Sequence, residues 1–132
     1  MVSKDRKRRQ PTPDELEAIK EKLLQRKKEL WQGVIEDLEN DVKNEHQELI
    51  QTIREEGDVA LEELRMSTAF SLIELKHQEL QKIEEALRRI EAGEYGRCVD
   101  CGHWIRPARL EFVPCAIRCR ECQQEWEKIS RD

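Results

Sequence analysis

Cys98-Val99-Asp100-Cys101 and, seventeen residues further on, Cys119-Arg120-Glu121-Cys122 form the pattern C-x₂-C-x₁₇-C-x₂-C, from which the rest of this 132-residue chain is best read. Two residues between cysteines let both sulfurs of a pair turn toward one ion, and two such pairs complete the closed tetrahedral shell of a structural Zn²⁺. No position is left for a water, so hydrolytic zinc chemistry is not expected. Gly96 and Gly102 stand beside the first pair, where a tight turn is needed. Two disulfides or an iron–sulfur cluster are the other fates open to four thiols. Residues Met1 to Gln10 lack the apolar stretch of a secretory signal. The expected setting is therefore a reducing cytoplasm, where thiolates ligate metal. One structural zinc held by Cys98, Cys101, Cys119 and Cys122 is the prediction.

Upstream of the cysteines, Ala69, Ile73, Leu80, Ile83, Leu87 and Ile90 recur at helical spacing until Gly93 and Gly96 mark the exit into the knuckle. Further back, Thr12-Pro13-Asp14-Glu15 reads as a helix start. Thr12 is the N-cap, Pro13 takes the first helical position, and Glu15 reaches back to close a capping box. From there Leu16, Ile19, Leu23, Leu30, Val34, Leu38, Val42, Leu49 and Ile53 form a second apolar seam, interrupted at Lys27 and Glu45. Gly33 within it costs about 1 kcal/mol relative to alanine. Between the seams lies Gly57-Asp58, where glycine can end one helix and aspartate can cap the next.

The fold class expected is mainly α. A long antiparallel helical hairpin, a coiled coil over residues 13–93 with its tip near 55–60, leads into a small four-cysteine zinc-finger module with a short C-terminal helix over 94–132. Residues 1–12 are expected to be a basic, disordered tail. Each arm would be roughly 50 to 60 Å long at 1.5 Å per residue. A single rod dimerising as a coiled coil is the competing arrangement. Seams of similar length on either side of a short break favour antiparallel neighbours. Leu72 and Leu75 lie off the seam and are expected to be exposed, whereas Trp104 and Trp126 are expected to pack the knuckle onto the base of the hairpin.

Composition narrows the function. Charged residues make up 40% of the chain and only six residues are aromatic, so an ordinary compact core is not expected. No apolar run approaches the roughly 20 residues needed to cross a bilayer, and no membrane partner is expected. The net charge of −5 is unevenly spread: residues 1–10 carry five basic side chains against one acidic, whereas 11–94 carry twelve against twenty-two. Such an acidic rod is a poor match for a phosphate backbone, so sequence-specific DNA binding is not expected. The chain has no glycine-rich phosphate loop and no Ser-His-Asp set, and an enzyme is not expected.

The stretch Gly93-Glu94-Tyr95-Gly96-Arg97-Cys98-Val99-Asp100-Cys101-Gly102, followed by Ile105, Arg109-Leu110-Glu111, Pro114 and Cys119-Arg120-Glu121-Cys122, resembles the zinc finger of the DksA/TraR family. Ile83 to Glu91 is similar to that family's second coiled-coil helix. The resemblance implies a bacterial transcription regulator that binds RNA polymerase rather than DNA. Its hairpin would enter the secondary channel and place an acidic tip near the active-site Mg²⁺, altering initiation. The family's tip pattern is Asp-x-x-Asp-x-Ala. Here Glu55 stands at the first acid, Asp58 at the second and Ala60 at the alanine, with Gly57 inside the motif. A narrow rod can deliver these charges into a confined site, where screening is weak.

Guanosine tetraphosphate is a further partner to weigh. Alarmone-responsive relatives carry a basic residue just before the finger's proline and another just after its last cysteine. Val113 and Gln123 occupy those positions here, which weighs against responsiveness, although Lys82 is free to meet a phosphate. Cys115, outside both pairs, reads as a small buried hydrophobe or as a thiol able to exchange with the zinc ligands. His103, His46 and His77 read as surface residues. The alternative from another class is a zinc-stabilised coiled-coil scaffold or protein-interaction module without polymerase activity.

Overall fold

The computed structural model describes residues 8–41 and 46–131, with six helices among them. They are α1 (Pro13–Glu39), α2 (Gln47–Glu56), α3 (Leu61–Leu64), α4 (Phe70–Glu91), α5 (Pro107–Phe112) and α6 (Arg120–Arg131). The described residues contain no strand, only an isolated antiparallel bridge between Arg97 and Trp104. None of these helices is long and apolar enough to cross a membrane. Val42 and Glu45 of the first seam, and residues 1–7 of the basic segment, lie outside the described residues. The chain forms two compact units, Leu24–Lys82, and Met1–Leu23 together with Ile83–Asp132.

In the unit Leu24–Lys82, the seam side chains Leu30, Val34 and Leu38 of α1 are buried, as are Ile53 of α2 and Ile73 and Leu80 of α4. Trp31 and Ile35 join them, which widens the apolar stripe of α1 beyond a strict heptad. The two arms run antiparallel. Arg26 donates to Glu79 at 2.6 Å, Lys76 to Asp37 at 2.6 Å, and Ser67 to Asp41 at 2.9 Å, so partner numbers fall on one arm as they rise on the other. Gly33 has a use here. A methyl group at that position would lie 2.8 Å from Lys76 Cε, in the path of the side chain that reaches Asp37.

Neither arm is the single continuous helix that the periodicity suggests. The first stops at Glu39 and resumes at Gln47; the second is a single short turn, α3, then a bend at 65–69 before α4. The cause is a buried polar knot. The Asp41 carboxylate accepts from His46 Nε2 at 2.7 Å, Ser67 Oγ at 2.9 Å, Thr68 Oγ1 at 2.6 Å and the Thr68 backbone N–H at 3.0 Å. Short polar side chains that bond nearby backbone compete with the helix for it, and burying a carboxylate demands that many donors. His46 is therefore 8% exposed, not a surface residue. His77 is half-buried with its ring edge-on to Trp31 at 6.5 Å, again contrary to the surface expectation.

In the other unit, the capping box forms as the sequence predicts. The Thr12 backbone N–H donates to Glu15 Oε1 at 2.8 Å, and the Glu15 N–H donates to Thr12 Oγ1 at 3.2 Å. Ile83, Ala86, Tyr95, Ile105 and Leu110 are buried beside Cys98 and Cys119, so the metal knuckle contributes part of its own small core. Arg89, buried near the end of α4, donates through Nη2 to the carbonyls of Glu94 and Arg97 and so fastens the helix to the first knuckle.

Candidate metal centre and acidic turn

The first cysteine pair sits on a tight backbone loop. The Cys98 N–H donates to His103 O at 2.8 Å, the Gly102 N–H to Cys98 O at 3.0 Å, and the Ile105 N–H to Gly96 O at 2.7 Å. The second pair lies at the start of α6, with Cys119 just before its first residue and Cys122 one turn in. The Val99 N–H donates to Ile117 O at 2.9 Å, and Arg118 Nε donates to Asp100 at 2.8 Å, which joins the two knuckles. Tyr95 Oη donates to Pro114 O at 2.6 Å and pins the intervening loop.

As a result the sulfurs of Cys98, Cys101, Cys119 and Cys122 all lie within 4.8 Å of one another. Four sulfurs at about 2.3 Å from a tetrahedral zinc stand about 3.8 Å apart. Cys101 Sγ and Cys119 Sγ, at 4.0 Å, already meet that spacing. Burial opposes ionisation of Cys98, but backbone N–H groups from Cys101, Cys119 and Asp100 outweigh it and hold the thiol down at about 6. Cys122 is pushed well up, first by its hydrogen bond to Cys119 and then by burial and the other sulfurs. Four adjacent thiols cannot all ionise without a positive ion among them. Together the four cysteines form a site positioned to hold one zinc, with no fifth donor in the cluster among the described residues. Cys115 is half-buried outside it, and His103 is exposed as expected.

Trp126 departs from expectation. It is 46% exposed on α6 with the Arg118 guanidinium 4.9 Å from its ring centroid, a cation–π contact in place of a buried anchor. Trp104 is half-buried, with Arg97 stacked 5.4 Å from its centroid.

The turn at 55–60 presents charge to solvent. Glu55 lies in the last turn of α2 and accepts from Gln51 at 2.7 Å. Gly57 follows at φ 87°, a left-handed conformation that only glycine takes readily, and its N–H closes the helix on Ile53 O. Asp58 and Ala60 are both exposed. Asp58 is not the N-cap that the sequence suggests: α3 starts at Leu61, its cap residue is Ala60, and no side chain caps it. Among the described residues the Asp58 carboxylate makes no hydrogen bond or ion pair. Val113 is exposed, and Gln123 donates to Glu127 at 3.1 Å.

Sequence reasoning missed the Asp41, His46, Ser67 and Thr68 knot and the buried Arg89. The signal for the knot was present. Asn40-Asp41 and Ser67-Thr68 are pairs of poor helix formers at matching depths on the two arms.

Helical arms and a four-sulfur knuckle define a small α protein with a C4-type zinc finger. The sequence model of the prokaryotic dksA/traR C4-type zinc finger matches residues 93–128. The chain is 35% identical over 120 residues to the RNA polymerase-binding transcription factor DksA of Caulobacter vibrioides, spanning 89% of this chain and 79% of that protein. An uncharacterised protein of Aquifex aeolicus is 29% identical over 115 residues, 87% of this chain and 78% of that one. Among solved structures, transcription factor DksA2 of Pseudomonas aeruginosa superposes with a TM-score of 0.61 at 26% identity, covering 91% of this chain and 88% of that one. The chain belongs to the DksA/TraR family.

Proposed function

We propose that the protein is a cytoplasmic regulator of transcription initiation that binds RNA polymerase and has no enzymatic activity of its own. The observation that carries this reading is the 35% identity, over 120 residues, to a protein named for binding RNA polymerase. Three parts divide the work: the basic segment 1–12, the hairpin 13–93 and the zinc module 94–132. Zinc on Cys98, Cys101, Cys119 and Cys122 stabilises the module, which anchors the protein on the polymerase. The hairpin enters the secondary channel and presents Glu55 and Asp58, with Ala60 beside them, to the region of the active-site Mg²⁺.

Asp58 suits that task because, among the described residues, it has no partner to surrender. A carboxylate already free of hydrogen bonds loses only water on entering a confined site, where its field acts over a longer range than in bulk solvent. Glu55 keeps the charge of the first tip acid on an arm one methylene longer. Guanosine tetraphosphate is not expected to tune the effect, because Val113 and Gln123 offer no cation. The net acidity of residues 11–94 argues against DNA as the direct partner.

The test is binding of zinc-loaded protein to bacterial RNA polymerase core enzyme, with cleavage by iron substituted at the polymerase active site. Saturable binding with cleavage near residues 55–60 is expected. Absence of binding at micromolar concentrations would overturn the reading and leave the scaffold alternative.

A further inference from the structure

We propose that the arginine-lined cleft between α5 and the start of α6 receives the acidic turn 55–63 of a second copy of this chain, so that the protein associates head to tail. Arg8, Arg106, Arg109 and Arg120 line a cleft of about 370 Å³, and Glu121 is the one carboxylate in that lining among the described residues. Arg8 takes the carboxylate at 2.9 Å, and Arg106 Nη1 stands 3.9 Å from it. Arg109 donates from Nε to the carbonyl of Arg118 at 3.0 Å, which fixes α5 to the backbone just ahead of α6. Arg120, the first residue of α6, makes no hydrogen bond or ion pair among the described residues. With zinc in place the thiolate shell carries a charge of −2 beside Cys119. The four guanidinium groups still outnumber that charge and Glu121 combined.

Apolar surface stands beside these cations. Phe112 is 85% exposed and Val113 is 42% exposed, and both belong to the same cleft. Arginine and aromatic side chains are the ones enriched where protein surfaces meet, and a guanidinium grips a carboxylate through two parallel hydrogen bonds. A duplex, with a phosphate charge every ~1.7 Å along its axis, needs a longer basic track than one cleft. Glu121, Glu125 and Glu127 on α6 cut such a track short. An acidic protein segment is the occupant that the cleft fits.

This chain carries such a segment itself. Residues 55–63 hold Glu55, Glu56, Asp58, Glu62 and Glu63 and no basic residue. All of these acids are exposed, and Glu56, Asp58 and Glu63 make no hydrogen bond or ion pair among the described residues. Cleft and turn are different surfaces, so their contact is heterologous and passes from copy to copy instead of closing as a two-fold dimer. Assembled in this way, the protein would withhold the turn from the polymerase. That consequence rests on the polymerase reading, whereas the association itself does not.

The experiment is analytical ultracentrifugation of the full-length, zinc-loaded protein from about 10 μM to about 1 mM, the range of weak contacts. Runs are made at ionic strengths of about 0.02 M and about 0.5 M, which lengthen and shorten the reach of exposed charges. Mass that grows with concentration is expected at the lower salt and is lost at the higher. Arg120→Glu and Asp58→Lys, with helicity and zinc content checked, should each weaken association about tenfold or more, because each sets like charges against one another. Mixed in equal amounts, the two variants should form a complex of two copies and nothing larger, since the intact turn of one meets the intact cleft of the other. Asp58 is remote in sequence from the cysteines, so Asp58→Lys decides the matter alone if Arg120→Glu loses zinc. A wild type that stays monomeric throughout at the lower salt would overturn the inference. So would association that survives the higher salt, a zinc-loaded variant that assembles like the wild type, or a mixture of zinc-loaded variants that stays monomeric.

Discussion

The zinc knuckle and the paired arms solve the same problem, too little apolar surface, in opposite ways. In the knuckle, four sulfurs within 4.8 Å of one another converge on a single point, and the backbone around them is ordered by short loop hydrogen bonds. In the unit Leu24–Lys82, stability is spread along a seam of buried side chains and punctuated by one polar knot at Asp41. The contrast teaches that local order in this protein follows either a metal or a repeat. The knuckle is expected to fail as a whole when its ion leaves, and the arms to weaken by increments.

Removing zinc should have the largest effect. Binding energies for structural zinc are on the order of 10–16 kcal/mol, as large as a small domain's entire stability. Chelation, or Cys98→Ser, is expected to collapse the near-ultraviolet signals of Tyr95 and Trp104 while most of the helical circular dichroism survives. A concerted loss of both signals would break the division between the two regions.

Asp41→Ala should come next. It strands donors from His46, Ser67 and Thr68 in a buried site, and the expected cost is about 2 to 4 kcal/mol in urea unfolding. A change within about 0.5 kcal/mol, the range of an ordinary surface substitution, would show that the knot is incidental to the arms.

The smallest effect is a pH dependence at the capping box. The hydrogen bonds from Arg9, and then that from the Thr12 N–H, hold Glu15 down at about 2 from the ordinary 4.5. Because the folded form is the stronger acid, the contribution is complete above pH 4.5 and is lost as the pH falls toward 2. The side chain is 37% exposed, so solvent screening limits the effect to about 1 kcal/mol. Glu15→Gln keeps the cap geometry and should flatten the acid limb of a thermal unfolding profile between those pH values. An unchanged limb would remove Glu15 from that dependence.

The same contrast explains what the sequence disclosed. The cysteine spacing carried the metal site almost whole, because ligand geometry is a local rule and the loops between ligands follow from it. The capping box at Thr12 and the break at Gly57 were legible for the same reason. The seam residues located most of the core, but periodicity treats a helix as uniform and says nothing of where a polar group from the other arm will interrupt it. His46 looked like a surface residue because its partner, Asp41, becomes buried only when Ser67 and Thr68 are brought up by the opposing arm. Asp58 looked like a cap because helix propensity does not determine whether α3 begins at residue 59 or 61. Trp126 is expected to pack the knuckle onto the hairpin because a small metal module has little core of its own, yet Arg118 offers its ring a partner in solvent.

The most direct test of the functional account is the lifetime of open promoter complexes formed by bacterial RNA polymerase with saturating amounts of wild type or Asp58→Asn. The wild type is expected to alter the lifetime. The variant should bind the polymerase with nearly the same affinity and change the lifetime far less. Equal effects from both proteins would contradict the assignment of regulation to the acidic turn.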